Sequence, residues 1–232
     1  MQEPVIPDFG TGSRCVTENG TFCWDWVHDH WGDTLQPALL DHLKLAAIAV
    51  SIGFVLAFAA ALLAYRRRRL DAPLGLLADF LYTIPSLALF QLLVPITGIT
   101  VTTVEIALVA YTLLILYRNI LEGLRAVPAD VREAARGMGL TPLQTLARIE
   151  LPLAAPAIIA GLRIATVSTI SIATVAAFVI PEGLGRPIFI AIGQDVFKTE
   201  IIAAGVLAIM LALAADAVLV VAQRLITPWR RA

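Results

Sequence analysis

The chain has 232 residues, of which 59% are hydrophobic and 15% are charged, and its mean hydropathy is +0.83. Soluble domains carry about 25% charged residues, so this composition excludes a soluble enzyme, a disordered chain and a nucleic-acid-binding protein. A formal net charge of −1 indicates no partner by itself. All histidines and cysteines precede the first long apolar run, so we expect no metal or thiol active site within the apolar part.

Five apolar runs meet or approach the length of about 20 residues that a membrane-spanning helix needs. They predict an all-α membrane protein with about five transmembrane helices. The first run lacks the charged flank and cleavage site of a signal peptide, so we expect it to remain as an anchor. The predicted spans cover residues 43–65, 74–96, 104–120, 153–180 and 200–226.

Basic residues flank these spans asymmetrically. Most of the 17 Lys and Arg residues follow span 1, lie between spans 3 and 4, or follow span 5. These three positions share one side of the membrane, which the positive-inside rule assigns to the cytoplasm. The sequence therefore predicts the N-terminus outside and the C-terminus inside. The residues that decide this are residues 66–69, Arg118, Arg125, Arg132, Arg136, Arg148, Arg224, Arg230 and Arg231.

The sequence predicts an extracytoplasmic N-terminal segment, residues 1–42, ahead of a transmembrane domain at 43–227. Cys15 and Cys23 fall on its oxidising side, where they either form a disulfide or remain two reduced thiols. Three tryptophans at positions 24, 26 and 31 indicate either a short helix lying in the membrane interface or rings around a choline-type cation.

The segment between spans 3 and 4, residues 121–152, is long enough for two cytoplasmic helices. Pro128 suits the first turn of the first helix, and Gly139 suits its C-terminal cap. Residues 141–144 are typical of a capping box that begins the second helix. Pro152 is expected to mark the return of the chain into the membrane.

A spaced motif lies within this segment. Glu133, Ala134 and Ala135 are followed at fixed intervals by Gly139, Ile149, Leu151 and Pro152, and this pattern resembles the EAA loop of permease subunits of binding-protein-dependent ABC importers. The alternative is an ordinary connector with alanines for helicity and glycine for a cap. The resemblance implies the type I ABC importer permease fold and a coupling role for Glu133, Ala134, Ala135, Arg136, Met138, Gly139, Ile149, Leu151 and Pro152.

The physical chemistry of this loop agrees with a docking role. The small side chains of Ala134 and Ala135 let a helix enter a partner's groove, and Glu133 and Arg136 can pair with each other or with partner charges. The chain lacks a P-loop, because both lysines follow a bulky apolar residue rather than glycine. We therefore expect no cofactor in this chain, no hydrolysis of ATP by it, and ATP and Mg bound by a separate ATPase.

Further segments resemble the osmoprotectant permeases, which import glycine betaine, choline and carnitine. The resemblance runs from about residue 24 to residue 227, with one departure at Ile180, Pro181 and Glu182, where that branch has small residues. The alternatives are an importer of another small solute, such as methionine, taurine or an amino acid, and a non-transporting scaffold or sensor. The segments that resemble the branch are residues 82–89, 133–139, 161–167, 176–178 and 183–185.

The resemblance also implies a set of partners in the bacterial inner membrane. Two permeases would form the pathway, two ATP-binding cassette subunits would lie below them, and a substrate-binding protein would lie above. The second permease is either a copy of this chain or a related chain. The solute stays open, because selectivity in this family rests largely on the binding protein.

Polar residues within the spans are candidate functional residues. Arg163 and Asp216 lie in the same half of the membrane and form either an ion pair or two separately solvated groups. Asp79 is expected to reach the cytoplasm, and Glu105 to reach water at the outer end of span 3.

Pro85 interrupts span 2 because it lacks an N–H and frees one carbonyl of the preceding turn. Thr83 and Ser86 are the expected donors to that carbonyl. The break is either part of the pathway wall or a structural kink.

Overall fold

The computed structural model describes residues 13–193 and 196–228, and every regular element within these ranges is helical. A π-helical stretch leads into α3, a second one joins α8 to α9, and short 3₁₀ turns precede α4 and follow α9. The helices are α1 (Arg14–Thr17), α2 (Trp24–Asp29), α3 (Gln36–Arg66), α4 (Asp71–Thr83), α5 (Ser86–Thr97), α6 (Val101–Arg125), α7 (Ala129–Gly137), α8 (Pro142–Thr145), α9 (Leu151–Val175), α10 (Gly185–Gly193) and α11 (Lys198–Ile226).

The bundle is built around α6, which packs against α3 on one side and α9 on another. The buried face of α3 consists mainly of alanines, whose small side chains let the backbones of α3 and α6 approach closely. In a membrane such close packing, rather than the hydrophobic effect, holds helices together. At Gly53 a Cβ atom would lie only 1.8 Å from the Thr112 hydroxyl oxygen. This crossing of α3 and α6 therefore tolerates no side chain at position 53.

The prediction of about five membrane spans is confirmed, with a correction to the second. Four continuous helical stretches have the length and apolarity of a span: Trp31–Arg66, Val101–Arg125, Pro142–Phe178 and Lys198–Ile226. The second predicted span is instead a pair of helices, α4 and α5, that meet at an angle of 99°. Pro85 has no N–H to continue α4, so the backbone becomes extended at Ile84 and the helix restarts at Ser86.

Pro152 does not interrupt the helix in which it lies. The helix that begins at Pro142 continues through α8, the π-helical stretch and α9 as one helix of 37 residues, Pro142–Phe178. Pro152 lies in the first turn of α9, directly after the π-helical stretch Leu146–Glu150. The wider π turn changes the hydrogen-bond register there, which accommodates the missing N–H of Pro152 without breaking the helix.

The N-terminal segment packs against the end of the bundle formed by α10 and α11, here called the disulfide end. Trp26 is buried there, its ring stacked on that of His30 at 4.5 Å and edge-on to Phe197 at 5.3 Å. Trp24 and Trp31 are exposed instead. Within the described ranges no ring contact joins two of the tryptophans.

The opposite end of the bundle carries the arginines that follow α3, α6 and α7, and is called the arginine-rich end below. Arg230 and Arg231, two of the residues on which the orientation depends, lie outside the described residues. The assignment of the arginine-rich end to the cytoplasm therefore stays a prediction.

Candidate functional site

The motif around Glu133 forms α7, a short helix at the arginine-rich end with a defined C-terminal cap. The N–H of Gly139 donates to the carbonyl of Arg136 at 2.9 Å, and that of Leu140 to the carbonyl of Ala135 at 3.2 Å. These two bonds are those of a Schellman motif, and Gly139 has the positive φ, +82°, that this motif requires. Pro128 is the residue before the helix rather than part of its first turn.

A second cap begins the following helix. The Thr141 hydroxyl accepts the Gln144 N–H at 3.3 Å, and the Gln144 side-chain oxygen accepts the Thr141 N–H at 2.8 Å. This is the capping box that the sequence predicts. The loop therefore holds two helix ends fixed by their own hydrogen bonds.

The surface of α7 is open. Glu133, Ala134 and Arg136 are exposed, and the Met138 side chain is 70% exposed, whereas Ala135 is buried against the rest of the loop. Neither Glu133 nor Arg136 makes an ion pair with another residue in the part of the chain that the structure describes. Of the later motif residues, Ile149, Leu151 and Pro152 are half-buried in the long helix that follows.

A hydrogen-bonded link that the sequence does not reveal joins α7 to the membrane helices. Arg132 donates to the Tyr65 hydroxyl at 2.8 Å, and that hydroxyl donates to a carboxylate oxygen of Glu150 at 2.8 Å. Tyr65 lies at the end of α3 and Glu150 directly before α9. The link therefore connects α7 to the ends of two spans.

This link crosses a cavity of about 1000 Å³ between α7 and the ends of the spans. Five arginines and two glutamates line it, together with small and apolar residues of the loop. The charged residues that line the cavity are Arg66, Arg68, Arg125, Arg132, Arg136, Glu133 and Glu150.

The break in the second span brings together residues that the sequence predicts and one that it misses. Thr83 donates to the carbonyl of Phe80 at 2.7 Å, whereas Ser86 makes no side-chain hydrogen bond within the described ranges. Neither residue therefore reaches the carbonyl freed by Pro85, contrary to expectation. The Tyr111 hydroxyl of α6 instead donates to the carbonyl of Ile84 and ties the break to the bundle core.

One acidic residue of the spans, Glu105, differs from expectation, and another, Asp79, has a partner that the sequence does not reveal. Asp79 does not stand alone: Arg118 donates to its carboxylate at 2.8 Å, which joins α4 to α6. Both carboxylate oxygens of Glu105 are buried and have no hydrogen-bond partner in the part of the chain described, so this side chain does not reach water in the protomer. The Asp79–Arg118 pair and a second one, Asp71 with Arg125 at 2.6 Å, hold α4 against α6.

Arg163 of α9 and Asp216 of α11 lie face to face. Arg163 donates from Nε to one carboxylate oxygen at 2.7 Å and from Nη2 to the other at 2.9 Å. This bidentate geometry is the most favourable one for an arginine and a carboxylate. The pair joins α11 to the bundle at a place where the two helices otherwise present apolar side chains.

His42 is a buried residue that sequence analysis missed. Its Nδ1 accepts the N–H of Leu184 at 3.2 Å, and its Nε2 lies 2.9 Å from the carbonyl of Ile170. The neutral tautomer with hydrogen on Nε2 satisfies both contacts. His42 thus fixes the turn of Gly183 to α3 and α9, and Gly183 has a φ of +72° there.

At the disulfide end, Cys15 and Cys23 are joined by a disulfide with a Cα–Cα distance of 5.8 Å. The N–H of Cys23 donates to the Thr199 hydroxyl at 3.0 Å, so the closed loop is attached to the start of α11. A loop of this size stabilises a protein by about 2–3 kcal/mol when it is closed.

We expect the purified protein to contain this disulfide. Alkylation under denaturing conditions without reductant should leave Cys15 and Cys23 unmodified, and alkylation after reduction should modify both. Cys15→Ser and Cys23→Ser should lower the free energy of unfolding equally, because each opens the same loop. Quantitative alkylation of both cysteines without reductant would contradict the prediction.

The described helices form a bundle of membrane-spanning length, and one end of it carries an exposed loop with two capped helix ends. Residues 47–232 match the family described as the binding-protein-dependent transport system inner membrane component. The chain belongs to this family, which places it in a bacterial inner membrane.

Curated relatives span almost its whole length. The chain is 34% identical to the choline transport system permease protein OpuBB of Bacillus subtilis, over 85% of this chain and 90% of that protein. It is 35% identical to the osmoprotectant import permease protein OsmW of Salmonella typhimurium, over 84% and 92% respectively. Among solved structures, a chain of the inward-facing MetNI methionine ABC transporter matches 83% of this chain and 96% of its own length, with a TM-score of 0.71 at 20% identity. That likeness confirms the fold.

Proposed function

We propose that this chain is the membrane-spanning permease of an ATP-driven importer for quaternary ammonium osmoprotectants such as glycine betaine, choline or carnitine. The observation that carries the proposal is α7, an exposed helix fixed by a Schellman motif at Gly139, in a chain whose relatives are permeases for choline and other osmoprotectants. An ordinary connector requires neither an exposed apolar Met138 nor a rigid cap.

In this proposal α7 is the contact for a separate ATPase, which binds ATP and Mg and hydrolyses the nucleotide. Ala134 presents a small side chain at the exposed surface, while Glu133 and Arg136 are free to pair with charges of the ATPase. The arginine-rich end lies in the cytoplasm, which agrees with the preference of cytoplasmic loops for Lys and Arg.

The link from Arg132 through Tyr65 to Glu150 supports the coupling step. When the ATPase moves α7, the hydrogen bonds at 2.8 Å pull on the end of α3 and on the start of α9 together. Because the helix from Pro142 to Phe178 is continuous, a rotation at the loop reaches the opposite end of the membrane span. Such a continuous helix suits a pathway that alternates between outward-facing and inward-facing states.

The working unit in this proposal contains two permeases, two ATPase subunits and one extracytoplasmic substrate-binding protein. The binding protein captures the solute and delivers it to the disulfide end. The second permease is a copy of this chain or a related chain.

Uptake into proteoliposomes tests the proposal. The permease, reconstituted with its ATPase and its substrate-binding protein, is expected to accumulate labelled choline, glycine betaine or carnitine only when ATP is present on the α7 side. Unlabelled quaternary amines should compete, and methionine or taurine should not. Uptake of methionine or taurine without uptake of any quaternary amine would instead support the alternative of an importer for another small solute.

A further inference from the structure

The break between α4 and α5 holds an aromatic pair. The rings of Tyr82 and Tyr111 lie edge to face with centroids 5.9 Å apart. Tyr111 is buried and its hydroxyl is bound to the carbonyl of Ile84, whereas the Tyr82 side chain is 45% exposed. A fixed ring thus supports a second ring that remains accessible at the surface of the protomer.

The backbone beside these rings includes a carbonyl group that lacks its usual main-chain donor. Pro85 has no N–H for the carbonyl of Leu81, and no main-chain hydrogen bond crosses Ile84 and Pro85 in the described structure. The last carbonyls of α4 therefore point out of a helix C-terminus, the negative end of the helix dipole. A partner for these carbonyl groups would be polar and would carry no negative charge.

The position of the break determines what it faces. It has the 13 residues of α4 on one side and the 12 residues of α5 on the other, so it lies in the middle of this bent apolar span. Tyr82, Thr83 and Pro85 are all exposed on the protomer. Irregular backbone at this depth is tolerated only where it is covered by protein or lines a water-filled cavity. The exposed face of the break is therefore a surface that protein covers or that lines a water-filled passage in the assembled permease.

We propose that this face is a transient binding site for the quaternary ammonium group during its passage, formed by the ring of Tyr82 and the terminal carbonyls of α4. The inference rests on the proposed function and adds the site of contact. A quaternary ammonium group is permanently charged and has no hydrogen-bond donor on its nitrogen, so carbonyl dipoles and aromatic faces are the groups that stabilise it in a dry environment. Asp79, one turn earlier on α4, is paired with Arg118.

A graded change in the electron density of the ring at position 82 tests this site while the shape of the side chain stays nearly the same. Tyr82→Phe serves as the reference, and 4-fluoro-, 3,5-difluoro- and 3,4,5-trifluorophenylalanine are then introduced at the same position in the reconstituted complex. Fluorine withdraws electron density from the ring face and weakens its attraction for cations. The rate of ATP-driven choline uptake at saturating liganded binding protein should fall progressively, by about 2- to 30-fold in total.

The same series at Phe80 is the matched control. Phe80 is exposed on the same helix, two residues away and hence on the other side, so fluorination there should leave the rate unchanged. Tyr82→Leu should be slower than Tyr82→Phe at equal basal ATPase activity, which shows that the complex is assembled. A flat series at position 82, or equal slopes at positions 80 and 82, would overturn the site. If the unaltered complex takes up choline while the series stays flat, the proposed function stands and this inference alone fails; if it takes up no quaternary amine, both fail.

Discussion

Gly139→Val is expected to weaken assembly with the ATPase and to reduce uptake at least several-fold while the membrane helices stay folded. Gly139 has a φ of +82°, a conformation that a β-branched side chain adopts only with strain. A strain of about 1–3 kcal/mol lowers the population of the capped loop by about 5- to 150-fold. Because the Schellman bonds fix the direction of α7, the ATPase then meets a helix that is wrongly oriented. Co-purification of the ATPase with the permease measures the effect directly.

Gly137→Ala is the matched control for this prediction. Gly137 lies two residues earlier, has no positive φ, and a Cβ atom there would have no neighbour within 4 Å. Its replacement by alanine should leave assembly and uptake unchanged, since alanine favours the helix. Gly139→Asn should have a smaller effect than Gly139→Val, because asparagine tolerates the left-handed conformation. Equal assembly of Gly139→Val and Gly137→Ala would show that the cap has no coupling role.

The number and place of the membrane spans follow from the sequence because a span depends mainly on local composition. The effects of individual prolines on these helices do not follow from the sequence. Pro85 breaks its span by 99°, whereas the helix that contains both Pro152 and Pro156 continues. A π-helical stretch directly precedes Pro152, and the Gln223 side chain of α11 contacts the same helix, with its nitrogen 3.4 Å from the carbonyl of Pro156. Such partners come from the tertiary structure, so sequence alone cannot decide between a kink and a break.

The candidate site likewise combines features that the sequence predicts with features that it does not. The caps at Gly139 and Thr141 involve residues within five positions of one another, so their side-chain pattern is enough to predict them. The contact of Tyr65 with Glu150 spans 85 residues, and the bond of His42 to Leu184 spans 142. No periodicity or motif relates residues so far apart. The aromatic pair at the break was missed for this reason as well, because Tyr82 and Tyr111 lie on different helices.

Loss of either partner of the pair Arg163 and Asp216 is expected to destabilise the permease more than loss of both. Asp216→Leu leaves the guanidinium of Arg163 among apolar side chains of α9 and α11 without its two hydrogen bonds, and Arg163→Leu leaves the carboxylate of Asp216 in the same state. An unpaired charge within a membrane span is costly, whereas two leucines pack as well as any lipid-facing pair. The double variant should therefore recover much of the folded yield and thermal stability in detergent that each single variant loses.

The exposed pair of Arg14 and Glu18 at the disulfide end provides the comparison for this cycle. Its side chains are 89% and 70% exposed to water, so removal of either one or both should leave thermal stability unchanged. The charge-reversed double variant, Arg163→Asp with Asp216→Arg, should fold better than either reversal alone, since it restores an ion pair between the same helices. If the losses of the two single leucine variants simply add in the double variant, the two groups act independently and the pair contributes nothing to the contact of α9 with α11.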